Sequence, residues 1–82
     1  MNEQKIRDTG RKIVADILGI TFEECTDSAI LDDDLGADSL DAAEILMTVE
    51  TKFDISIEEG EADKIKSVGD LLDTLVQRVG NN

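Results

Sequence analysis

Apolar residues recur along this chain in three runs of helical spacing, separated by stretches where the spacing lapses. In the first run Ile6, Ile13, Val14, Ile17 and Leu18 share one side of a helix, which predicts a helix over residues 3–18. Gly10 lies on that same side. It weakens the helix by about 1 kcal/mol relative to alanine, and close packing against a neighbouring helix is one reason to keep it. Gly19 is a natural stop. A second run places Ala42, Ile45, Leu46, Val49 and Phe53 at i, i+3, i+4, i+7 and i+11, which predicts a helix from Asp38 to Phe53. The third is the strongest: Val68, Leu71, Leu72, Leu75, Val76 and Val79, opened by a variant capping box of Ser67 and Asp70 and closed by Gly80.

The intervening segments differ in kind. Residues 19–38 show no sustained period and are rich in Asp, Thr, Ser and Gly, which reads as a long loop pinned by Ile20, Phe22, Ile30, Leu31 and Leu35. Phe53 to Ile57 alternates like a strand, but no second strand exists to pair with it, so it reads as an extended connector. Residues 58–65 make a short, weak helix with Ala62 and Ile65 inward. The expected fold is all-α: a small four-helix bundle of three main helices plus one short helix, with a long loop between the first and second. Residues 1–82 are expected to form one domain, of a size at which a single core gives marginal stability.

The second helix carries a feature that bundle packing does not require. Leu40, Ala43 and Met47 form another, narrower apolar stripe, more than about 100° around the helix from the first. Glu44 and Glu50 flank it.

Composition adds charge and subtracts chemistry. The net charge is −12, which excludes binding to nucleic acid backbones and anionic membranes and favours partners with basic patches. It is also localised: residues 20–63 hold 15 acidic residues against the single base Lys52, a local charge of −14. No apolar run approaches membrane-spanning length, and the start, MNEQKIRDTG, has no apolar signal segment, so a cytoplasmic, monomeric protein is expected. Cys25 is the sole cysteine, which excludes an internal disulfide. Histidine, the commonest general base, is absent.

The stretch LGADSLDAAEI, residues 35–45, sets Ser39 between two aspartates where the loop meets the second helix. Capping accounts for Asp38 and Asp41, since carboxylates in a first turn gain about 0.3–1 kcal/mol from the helix dipole. It leaves the outward stripe unexplained. Catalysis by Ser39 lacks an activating base, and the neighbouring carboxylates oppose further negative charge. A twelve-residue calcium loop fits in neither register: from Asp32 the sixth and twelfth positions are Ala37 and Ala43, and from Asp34 they are Ser39 and Ile45. Attachment remains. A serine in the first turn of a helix is accessible, and adjacent backbone N–H groups accommodate a phosphate.

Leu35-Gly36-Ala37-Asp38-Ser39-Leu40-Asp41 resembles the modification motif of acyl carrier proteins, and the resemblance extends over nearly the whole chain. It implies that Ser39 carries 4′-phosphopantetheine, transferred from coenzyme A by a separate Mg²⁺-dependent phosphopantetheinyl transferase. The prosthetic thiol then holds acyl intermediates as thioesters while partner enzymes do the chemistry, so the chain itself is no enzyme. It implies as partners the fatty acid synthase enzymes and acyltransferases that present basic docking patches. On this sequence the docking surface is Asp38, Leu40, Asp41, Ala43, Glu44, Met47, Glu50 and Asp54, against the alternative of an ordinary solvated helix face. It further implies an acyl-chain pocket in the bundle, with Leu46, Val49, Ile65 and Leu72 as lining, although plain core describes those four equally well.

Five positions depart from the pattern common in fatty-acid carriers. Thr51 and Lys52 replace an acidic continuation of the second helix, Ala43 replaces a larger branched residue, Glu58 stands where proline is frequent, and Gly60 weakens the short helix. These raise two alternatives: a specialised carrier for a polyketide, aminoacyl or other lipid pathway, and, from another class, an unmodified acidic interaction module.

Overall fold

In a computed structural model, which describes residues 1–80, the apolar runs become helices that pack through the predicted faces. Helix α1 spans Glu3–Leu18, α2 Ser39–Phe53, α3 Glu59–Ala62 and α4 Val68–Gly80. The four helices form the expected all-α bundle, with α1 packed against both α2 and α4. No strand occurs among the described residues, where the only extended pairing is a single bridge between Ile30 and Ser67.

Local chemistry sets the helix ends. Asn2 caps α1 by accepting a hydrogen bond from Lys5 N at 2.8 Å, and Gly19 ends it in the left-handed region at φ 68°. Ser67 Oγ accepts from Asp70 N, while Asp70 Oδ2 accepts from the backbone N–H groups of Ser67 and Lys66, each at 3.0 Å. Those two donors, Ser67 first, hold the Asp70 carboxyl below the usual carboxylate range. Gly80, expected to close α4, is the last described residue and still belongs to the helix.

The core is aliphatic, as two phenylalanines and no other aromatic residue require. Ile6, Val14, Ile45, Val49, Val68, Leu71, Leu72 and Leu75 are buried, with Cys25 beside them, and burial pushes the Cys25 thiol up. Each large aliphatic side chain removed from water contributes about 1.5–3 kcal/mol. The caps contribute about 1 kcal/mol apiece, so the core supplies most of the stability and the caps set where helices start. Gly10 has the packing reason its position called for. A Cβ there would lie 2.7 Å from Leu72 Cδ2 and 2.7 Å from Leu75 Cδ1, so α1 and α4 approach each other over a bare backbone.

Two segments differ from expectation. The loop between α1 and α2 contains a short 3₁₀ turn, Phe22–Glu24, closed by a reciprocal capping box between Thr21 and Glu24. Its period is too short to register as an apolar pattern. The short helix predicted over residues 58–65 covers only Glu59–Ala62. Beyond Ala62 the backbone tightens, with Lys64 N donating to Glu61 O and Ile65 N to Ala62 O, three residues back in place of four. Glu58 provides no side-chain cap and Gly60 lowers propensity, so nothing prolongs the helix in either direction.

Candidate functional site

The path into α2 is built by backbone bonds. Leu35 N donates to Ile30 O, Gly36 N to Asp32 O and Ala37 N to Leu31 O, at 3.1, 3.0 and 2.9 Å. Gly36 turns at φ 74°, a conformation that favours glycine, and delivers Ala37 into the core. Asp38 then caps α2: its Oδ1 accepts from Asp41 N at 2.8 Å, and Asp41 Oδ2 accepts from Asp38 N at 3.2 Å. Both aspartates therefore work as the cap, and Asp41 is half-buried in doing so.

Ser39 is the first residue of α2 and is exposed. Among the described residues its hydroxyl makes no hydrogen bond to another group, and no base lies in its sequence neighbourhood to activate it. An unengaged hydroxyl at a helix start fits a phosphodiester well, because the first-turn N–H groups face the added anion.

On the solvent side of α2 the second stripe is in the open. Leu40 is 79% exposed and Met47 67%, with Ala43 between them and also exposed. Glu44 and Asp54 are exposed as well, and Asp54 ends α2 in the left-handed region. Glu50 is half-buried, and its Oε2 accepts from Ile57 N at 2.9 Å, so it fastens the connector as well as charging the surface. No spacing rule links residues seven apart across a helix end, so sequence did not disclose that bond.

Inward from Ser39, an open groove of about 270 Å³ runs along Asp32, Asp38 and Lys66 to Leu31, Ala37, Ala42 and Ile65. Those last four residues also wall a smaller, partly enclosed apolar cavity of about 60 Å³, completed by Ile45, Leu46, Ala62 and Leu71. Of the four pocket residues named from sequence, Leu46 and Ile65 line this cavity. Val49 and Leu72 are fully buried in the core outside it. Leu31, Ala37 and Lys66 were not anticipated, because loop folding rather than periodicity brings them to the site.

Known proteins of similar sequence and fold identify the family. Residues 11–75 match the family model described as a phosphopantetheine attachment site. The chain is 39% identical over 75 residues to the acyl carrier protein of Chlamydia felis, covering 92% of this chain and 96% of that one. It belongs to the acyl carrier protein family. With the acyl carrier protein of Akkermansia muciniphila the identity is 40% over 72 residues, covering 88% of this chain and 90% of that one. A solved structure of the acyl carrier protein from Enterococcus faecalis superposes with a TM-score of 0.80 at 29% identity, covering 95% of this chain and 99% of that one. The carrier's prosthetic group is accordingly phosphopantetheine. When bound, that group supplies the thiol that holds the acyl thioester; the protein carries and presents it and is not an enzyme. No helix among the described residues is long and apolar enough to cross a membrane.

Proposed function

We propose that Ser39 Oγ bears 4′-phosphopantetheine and that the loaded carrier, monomeric and cytoplasmic, delivers growing acyl chains between enzymes of fatty acid biosynthesis. The observation that carries this reading is the exposed, unengaged Ser39 hydroxyl at the start of a helix whose outer face is an apolar stripe among carboxylates. That face supports fast, transient docking. Leu40, Ala43 and Met47 provide a small anchor, and Asp38, Asp41, Glu44, Glu50 and Asp54 steer basic patches of the phosphopantetheinyl transferase, synthase enzymes and acyltransferases. The groove and the cavity it meets favour lodging the acyl chain between α2 and α3, with Leu46 and Ile65 as walls.

The test is loading. Incubation with coenzyme A, Mg²⁺ and a phosphopantetheinyl transferase is expected to add one phosphopantetheine unit to the intact mass, and Ser39→Ala to add none. No gain with several transferases, or the same gain in Ser39→Ala, overturns the assignment.

A second reading, a carrier dedicated to another acyl or aminoacyl pathway, is favoured by one observation. Thr51 and Lys52 line a shallow depression together with Met47 and Thr48, so these departures sit on the docking face itself. Turnover of the loaded carrier by fatty acid synthase enzymes separates the two: slow turnover by all of them supports the dedicated carrier.

A further inference from the structure

The cavity between α2 and α3 is about 60 Å³, less than half the roughly 150 Å³ that admits benzene to an engineered protein core. A long acyl chain enters only if a wall moves. Three walls are held firmly: α2 and α4 are long, capped at their starts, and contribute the fully buried Ile45 and Leu71, while the loop contributes Leu31 and Ala37, tied by Leu31 N donating to Lys66 O and Ala37 N to Leu31 O. The remaining wall is α3, four residues long, without a side-chain cap and containing Gly60. It contributes Ala62, which with the following Ile65 is only half-buried.

One side chain fastens this wall to the rest of the bundle. Arg78, in the last turn of α4, donates through Nη1 to Ser56 O at 2.7 Å in the α2–α3 connector and pairs through Nη2 with Glu61 of α3. Among the described residues no other side-chain hydrogen bond or ion pair joins residues 58–62 to another element. Both contacts come from one planar guanidinium, so a single side chain holds the connector and the helix at once. Both side chains of this pair are 35% exposed, so it is a partly solvated pair of modest strength.

We propose that Arg78 is a specificity-determining residue of the carrier: by latching α3 and its connector to α4 it sets the length of acyl chain that the cavity admits. The inference rests on the proposed lodging of the chain between α2 and α3. Chains short enough to fit behind a closed latch are shielded, and longer ones must break it or remain outside.

The experiment loads Ser39 with hexanoyl, octanoyl or dodecanoyl phosphopantetheine and follows thioester cleavage by hydroxylamine, each rate divided by that of the free acyl-pantetheine thioester. In Arg78→Gln and Glu61→Gln the best-protected chain is expected to be longer than in the wild type, with dodecanoyl cleavage slowed about threefold, the scale of one partly exposed ion pair. Arg78→Lys, which keeps the charge and loses the fork, falls between. The double exchange Arg78→Glu with Glu61→Arg restores the wild-type length. Arg7→Gln serves as a stability control, because it breaks pairs with Glu3 and Asp73 that involve no part of α3. An unchanged length dependence in Arg78→Gln and Glu61→Gln overturns the inference, as does the same shift in Arg7→Gln. Loss of mass gain at Ser39 overturns the carrier assignment with it, whereas normal loading with an unchanged length dependence overturns the latch alone.

Discussion

Gly10 shows how one residue sets two elements against each other. Alanine there would recover about 1 kcal/mol of helix propensity, but its Cβ would press on Leu72 and Leu75, both fully buried, and overpacking of that kind costs about 1–3 kcal/mol. Packing wins, so Gly10→Ala is expected to lower Tm by about 4–8 °C, the shift that about 1 kcal/mol produces in a domain of this size. A rise in Tm would mean that the two leucines give way without strain. Asp70 makes a case in charge. Its carboxyl is held below the usual range by the N–H groups of Ser67 and Lys66, so the charged form stabilises the fold. That stabilisation is present above the ordinary carboxylate pKa of about 4 and is lost as pH falls through the lower native value. Asp70→Asn keeps the shape and removes the charge. The gap in Tm between wild type and this variant is therefore expected to be widest near neutrality and to close in acid below about pH 4. A gap that stays constant to pH 2 would show that geometry, not charge, does the capping.

At the scale of elements, legibility followed periodicity. Helices α1, α2 and α4 each repeat an apolar position over three or more turns, and all three appear where the spacing put them. The 3₁₀ turn, the cut-off of α3 and the bond from Ile57 to Glu50 had no such signal. The long loop is ordered from a distance: Arg11 of α1 meets the Cys25 carbonyl and Asp27 and lies 5.6 Å from the centre of the Phe22 ring. Val68 N and Gly69 N of α4 bond to Ala29 O and Asp27 O. Contacts between residues this far apart in sequence leave no trace in local spacing. The outward stripe on α2 was visible because it breaks the rule for a helix packed on one face, and its exposure leads to a prediction at this scale. Met47 is mostly in solvent, so Met47→Ala is expected to leave Tm within about 1 °C while lowering kcat/KM of a docking enzyme about tenfold, as for an anchor residue in an interface. Unchanged kcat/KM would move the docking face elsewhere.

For the whole molecule the decisive quantity is where charge is left uncompensated. The ion pairs within the described residues join Arg7 to Glu3 and Asp73, Arg11 to Asp27, Lys12 to Asp16 and Arg78 to Glu61. In the segment of residues 20–63, with its charge of −14, only Asp27 and Glu61 among them meet a cation. The remaining carboxylates repel one another across the loop and α2, and folding brings them closer than the open chain does. Screening should therefore stabilise the fold: the Debye length shrinks from about 30 Å at 0.01 M salt to about 8 Å at 0.15 M, well inside the span of the segment. Tm is expected to rise over that range of NaCl and to rise further with millimolar Mg²⁺, whose double charge condenses more strongly on clustered carboxylates. Glu44→Gln separates stability from docking, because Glu44 is exposed and its carboxylate makes no bond among the described residues. At low salt this variant is expected to melt higher than the wild type, and at 0.15 M NaCl the two should converge. If the acids serve docking as proposed, the same variant turns over more slowly with partner enzymes at low salt, so that the change that steadies the fold weakens the encounter. A Tm indifferent to NaCl and Mg²⁺, in wild type and variant alike, would show that the segment's charges are already far enough apart to ignore one another.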